Sequence, residues 1–182
     1  MTIVESIILA VILSMGAMQM GAQIDVQIKS RFLGTMVMFT VVNAVFFILG
    51  WIVALLLEGS LGNFQGMIAS AILMILGVKT IMRRKQVNIP YQIDSVRELL
   101  VLAIAGGIDV LLGSLSIALL KAEFIFPALT VFFMTWFLTV RGMVIHEKRK
   151  PNGQLTVVFI SGIILVVAGL VYFLDANNLI RI

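Results

Sequence analysis

One carboxylate poses the chemical question. In "LAIAGGIDVLLGS", residues 102–114, Asp109 stands inside an apolar run whose nearest basic neighbours are Arg97 and Lys121. The run covers 99–120, so Asp109 falls near the centre of any bilayer the segment crosses. A central aspartate costs about 2.5–3.5 kcal/mol on insertion scales, and such residues face a bundle interior or a cavity. Its available chemistry is cation ligation or proton carriage; the plainer alternative is a hydrogen bond to a neighbouring helix. A second segment, "LAVILSMGAMQMG" at 9–21, reads like a copy with Gly16 where the aspartate would be.

Other polar residues share the apolar runs. Asn43 offers a carboxamide oxygen near the middle of the second run, as a metal ligand with Asp109 or as an interhelical hydrogen bond. Ser14 and Gln19 flank Gly16, and Ser114, Ser116 and Thr135 follow in the second half. Of these, Ser14, Gly16, Gln19, Ser114 and Thr135 are expected to line a substrate path. Met15, Met18 and Met20 cluster beside Gly16. Thioethers suit soft metals, but methionine more often fills irregular packing, and packing is the preferred reading. The chain has no cysteine and a single histidine, His146, so thiolate sites, His clusters and His-dependent triads are excluded. With no nucleophile–base pair and no phosphate loop either, neither an enzyme nor a bound cofactor is expected.

Long apolar helices must carry these residues. Hydrophobic residues make up 61% of the 182 and charged residues 12%, a balance that excludes a water-soluble domain. Apolar runs over 4–24, 32–57, 65–82, 99–120, 124–145 and 155–174 each approach the ~20 residues that a bilayer crossing needs. Ten-residue alternation, the mark of a membrane barrel, is absent. The breaks are "DVQIKSR", "EGSLGN", "RRKQVNIPYQIDSVRE", "KAE" and "HEKRKPNGQ". The sequence therefore predicts an all-α membrane protein of six transmembrane helices with no separate soluble domain. "MTIVES" has no basic n-region, so the first run is expected to remain as a helix.

Charge orients the spans. Of 13 Lys and Arg residues, only Lys121 and Arg181 fall outside the first, third and fifth loops and their flanks. The positive-inside rule then makes the odd loops cytoplasmic and leaves both termini outside. The basic residues are topology signals, so no nucleic-acid partner is expected. Lys79 and Arg141 read as boundary residues whose chains snorkel to the interface, Arg141 also being within reach of the bundle.

Sliding the chain on itself by 92 or 93 residues aligns its halves. Gly16 falls on Asp109, Phe32 on Phe124, Asn43 on Thr135, Gly50 on Gly142 and Gly77 on Gly169. Each half has three spans, so the two must be inverted relative to one another, an arrangement found in transporters with midplane sites. The expected organisation is repeat one over 1–84, a cytoplasmic connection over 85–97 and repeat two over 98–182. Small residues spaced by four, among them Gly62, Gly66 and Ser70, predict close helix contacts. Gly106–Gly107, one turn before Asp109, is a place where the backbone either packs closely or opens to coordinate an ion.

Three stretches carry a resemblance: "LSMGA" at 13–17, "VVNAVFFILGW" at 41–51 and "IDVLLGS" at 108–114. In order and spacing the chain resembles the MntP-type manganese exporters of bacteria, within the lysine-exporter superfamily. The resemblance implies six spans in two three-helix repeats, the bacterial inner membrane, and manganese held by intramembrane acids. Two of those acids correspond here to Gly16 and Asn43, and Asp109 keeps its carboxylate. The implied function is efflux of manganese or a related divalent cation by alternating access, with Asp109 and Asn43 as metal ligands. Alternatives are a carrier of the same fold for another small solute, needing fewer negative charges, or a non-transporting membrane subunit. The lipid bilayer and a divalent cation are the expected partners; self-association of the chain is left open.

Overall fold

The structure, a computed structural model, describes residues 1–23, 29–83, 96–147 and 151–177. Its helices are α1 (Ile3–Gln23), α2 (Lys29–Leu61), α3 (Gln65–Arg83), α4 (Val96–Leu119), α5 (Ile125–Glu147) and α6 (Pro151–Ala176). All six agree with the apolar runs to within a few residues. Among the described residues, segments of α2 to α6 are long and apolar enough to cross a membrane, and Ile3–Ala17 of α1 is a shorter apolar helix. The protein is a helical membrane protein.

Local chemistry sets the helix ends. Thr2 and Glu5 form a reciprocal capping box: the Glu5 N–H donates to Thr2 Oγ1 (3.3 Å) and the Thr2 N–H to Glu5 Oε2 (2.9 Å). The expected break at "EGSLGN" is mostly helix. α2 runs on to Leu61, with Gln65 Nε2 donating to the Glu58 carbonyl (2.7 Å), and only a 3-10 turn over Gly62–Phe64 separates it from α3. Gly62 makes that turn with φ +48°, which costs glycine little. α4 closes in a Schellman motif, with Ala122 N–H on the Ile117 carbonyl (3.3 Å) and Lys121 N–H on that of Ala118 (2.9 Å). α6 begins four residues ahead of the expected 155, at Pro151, because proline is well tolerated in a first helical turn.

Side chains on the outside are apolar. Along α2, Val37, Val41, Val45, Ile48, Ile52 and Leu56 are exposed, a stripe that suits hydrocarbon. The interior joins both halves: Leu9, Ile12 and Leu13 of α1 pack with Leu73 and Leu76 of α3, Ile117 of α4 and Leu165 of α6.

The helices pair across the halves, α1 along α5, α2 along α4 and α3 along α6. Exchanging α1–α3 with α4–α6 leaves this pairing scheme unchanged. Directions follow from individual contacts. A Cβ on Gly107 would meet the Phe46 ring and one on Gly50 would meet Leu111 and Ser114, so α2 and α4 run in the same direction. Along α3, Gly66, Ser70 and Gly77 meet Ala176, Gly169 and Gly162 in turn, so α3 and α6 run oppositely. The small-residue stripe thus serves close packing. Under the 92-residue offset α3 and α6 are counterparts, and these two run against each other.

The Gly106–Gly107 pair leaves α4 continuous. Opening the backbone there would forfeit helix hydrogen bonds, and Gly107 instead admits the Phe46 ring, 2.9 Å from where a Cβ would stand. Of the expected connection 85–97, residues 85–95 lie outside the described ones.

Candidate transport site

Asp109 sits inside α4, about 15 Å from the end of that helix at Leu119 by helical rise. Lys79 is one of its partners. Packing of α3 against α4 brings Lys79 Nζ to Asp109 Oδ1, forming an ion pair through a hydrogen bond. This corrects the reading of Lys79 as a boundary residue. It lies within α3, four residues before Arg83, and a charge so placed gains more from an opposite charge than from a long reach to the interface. Arg141 is exposed on α5.

Asn43 and Thr135 are the other distinctive pair. They are 2% and 0% exposed, on α2 and α5, two helices in mutual contact. Asn43 Oδ1 and Thr135 Oγ1 are buried, with no hydrogen-bond partner among the described residues. A buried unpartnered polar atom costs about 1–3 kcal/mol, and native proteins rarely keep one without a use.

The remaining hydroxyls are satisfied on their own helices. Ser14 donates to the Ala10 carbonyl (2.8 Å), Ser114 to that of Leu111 (2.9 Å) and Ser116 to that of Leu112 (3.0 Å). Thr139 donates to the carbonyl of Thr135 (2.7 Å), which leaves the Thr135 hydroxyl itself uncommitted. Ser114 also lies where α2 crosses α4, since a Cβ on Gly50 would stand 2.0 Å from its Oγ. Around Gly16 there is room, with nothing among the described residues within 4 Å of an added Cβ. Gln19 belongs to α1, but its side chain lies outside the described ones, as do those of Met18 and Met20.

The structure therefore brings Asp109 to Lys79 and buries Asn43 and Thr135 between the halves. Among the described residues no group of three or more His, Cys, Asp or Glu side chains is placed to hold a metal ion. The available donors are oxygens: one carboxylate, a carboxamide, hydroxyls and helix carbonyls, a hard set suited to manganese, magnesium or calcium rather than to softer metals. Sequence reasoning placed Lys79 at the membrane boundary and missed its partner on α4. Its signal was a lysine inside an apolar run rather than beyond it.

An all-helical membrane bundle whose halves pack on each other around buried polar oxygens has the architecture of a membrane transporter. Residues 25–173 match the family described as "Putative manganese efflux pump", and the chain belongs to that family. Over 128 residues, 70% of each chain, it is 30% identical to the "Putative manganese efflux pump MntP" of Methanothermobacter thermautotrophicus (strain Delta H). No solved structure matches it.

Proposed function

We propose that the chain exports manganese by alternating access, its halves 1–84 and 98–182 rocking about a site between α2, α4 and α5. Asp109 supplies the charged ligand, and Asn43 Oδ1 and Thr135 Oγ1 supply neutral ones. Ser14, Gly16, Gln19 and Ser114 border the path. The protein resides in the cytoplasmic membrane with both termini outside, as the distribution of Lys and Arg favours.

The observation that carries this reading is the pair of buried, unpartnered oxygens on α2 and α5. Both sit at the junction of the halves, where inverted-repeat carriers hold their substrates. A hard cation is well served by such oxygens, and its weak hold on a site with one carboxylate suits a carrier that must let go.

The experiment is manganese content and tolerance in bacteria lacking their own exporter, carrying this chain, Asp109→Asn, Asn43→Leu or an empty vector. Lower cell manganese with the unmodified chain alone supports the proposal. Equal manganese in the empty-vector strain and the strain carrying the chain, with the protein in the membrane, defeats it. A second reading, a carrier for a monovalent or neutral solute, draws on the Lys79–Asp109 pair, which leaves the carboxylate already matched in charge.

A further inference from the structure

We infer that Lys79 is a tethered cation that holds the transport site when it is empty and competes with the transported ion for Asp109. The inference rests on the proposed role of Asp109 as the charged ligand. Two observations lead to it: the ammonium of Lys79 occupies Asp109 Oδ1, and neither side chain is sealed, with 39% of Lys79 and 20% of Asp109 exposed. The exposed part of each side chain leaves the pair open to an approaching ion.

One carboxylate cannot balance two cations. With Lys79 in place the pair is neutral. A divalent ion on Asp109 beside the same ammonium would leave an excess of two positive charges in a poorly screened interior. Occupation by Lys79 and by the ion is therefore exclusive. Lys79 has somewhere to go, being four residues from the end of α3 on a flexible four-carbon stem that can carry its charge to the interface. On ion binding the ammonium changes place.

This exchange gives the carrier two balanced states. Empty, Asp109 keeps a counter-charge, so the halves can return without an isolated carboxylate crossing the membrane. Loaded, the displaced ammonium waits near the helix end and competes for Asp109 again, which promotes release. Among the described residues, α3 and α4 carry one further basic residue with a described side chain, Arg97, exposed in the first turn of α4 and about 18 Å by helical rise from Asp109. Lys79 is the cation that the described residues bring onto this carboxylate.

The test is manganese binding to the purified full chain in detergent, read by loss of the free-ion paramagnetic resonance signal, for the unmodified protein, Lys79→Gln, Lys79→Arg, Asp109→Asn and Lys79→Gln with Asp109→Asn. Removing the competing charge should tighten binding at least about tenfold in Lys79→Gln. Lys79→Arg, which keeps the charge, should bind no more tightly than the unmodified chain, and the double variant should lose the gain. In vesicles Lys79→Gln should show a lower KM with a lower maximal rate. Unchanged or weaker binding by folded Lys79→Gln would overturn the inference.

Amine acylation followed by mass spectrometry addresses the unmodified chain directly. Saturating manganese should raise labelling of Lys79 several-fold, whereas in Asp109→Asn labelling should be high with or without the ion. Labelling that manganese leaves unchanged would also overturn the inference. The cellular export assay stands apart. If the chain fails to export while Lys79→Gln binds more tightly, the competition survives and the export reading falls. If the chain exports while Lys79→Gln binds no more tightly, export survives and the competition falls.

Discussion

Gly77 and Gly162 approach each other reciprocally. A Cβ on Gly77 would lie 2.8 Å from the Gly162 carbonyl oxygen, and one on Gly162 would lie 3.0 Å from the Gly77 carbonyl oxygen. A Cβ on Gly169 would similarly lie 2.8 Å from the carbonyl oxygen of Ser70. Ser70 and Gly162 are 92 positions apart, as are Gly77 and Gly169, so one contact reproduces the other when the halves are exchanged. The close seam of α3 and α6 is thus a two-fold contact, and methyl groups there meet backbone, which cannot rotate away. Gly77→Ala and Gly162→Ala should each lose about 1–3 kcal/mol of stability, with the double variant losing less than the sum because both strain one contact. Thermal unfolding in a fixed detergent measures this; additive or neutral effects would show that the seam yields.

Thr135→Val separates stability from transport. Valine matches threonine in shape and removes a hydroxyl that has no partner among the described residues. Stability should hold or rise, by up to about 1 kcal/mol, because no satisfied hydrogen bond is lost. Export should fall about tenfold if that oxygen serves the ion. A structural hydroxyl would give the opposite pattern, lost stability with export intact. Cell manganese and unfolding temperature, measured on the same variant, decide between them.

What the sequence revealed follows the strength of each signal. The six helices were legible because runs of about twenty apolar residues have few alternative structures in a chain this poor in charge. The offset that sets Asn43 opposite Thr135 is readable in the sequence, but that both oxygens lack partners among the described residues is not, since that depends on which groups their neighbours present. Lys79 misled because position along a helix says how near a side chain is to the interface and nothing of the neighbouring helix. Only the packing of α3 on α4 supplies Asp109. At Gly106–Gly107 the sequence left close packing and an opened backbone both available, and the fit of Phe46 decides for packing.

Glu5 and Tyr172 fasten the start of α1 to α6. The tyrosine hydroxyl donates to Glu5 Oε2 (3.0 Å), which also accepts the Thr2 N–H. Tyr172→Phe should cost about 1 kcal/mol through the lost hydrogen bond. Glu5→Ala should cost about 1 kcal/mol more, because it also dissolves the capping box. With both changes together the loss should match Glu5→Ala alone, the hydroxyl having no carboxylate left to meet. A double-mutant cycle on unfolding free energy reads the coupling, and a coupling near zero would show that this contact fastens nothing.

Gly16→Asp asks whether the missing acid can be restored. The site is sterically ready, since an added Cβ meets nothing within 4 Å among the described residues, and Gly16→Ala should therefore be nearly neutral. If Gly16 borders the proposed ion path, an aspartate there adds a second carboxylate to that of Asp109, which is already paired with Lys79. Together with Asn43→Glu, it should tighten manganese binding at least about tenfold, because hard divalent ions gain most from anionic oxygens in a poorly screened interior. Tighter binding slows release, so the maximal export rate should fall even as the concentration needed for half-maximal export drops. Manganese uptake into inverted vesicles, measured across a range of concentrations, separates these two effects. Should the restored acids leave binding unchanged, the space beside Gly16 faces away from the ion's path, and the single carboxylate of Asp109 is the site's full anionic charge by design of the fold.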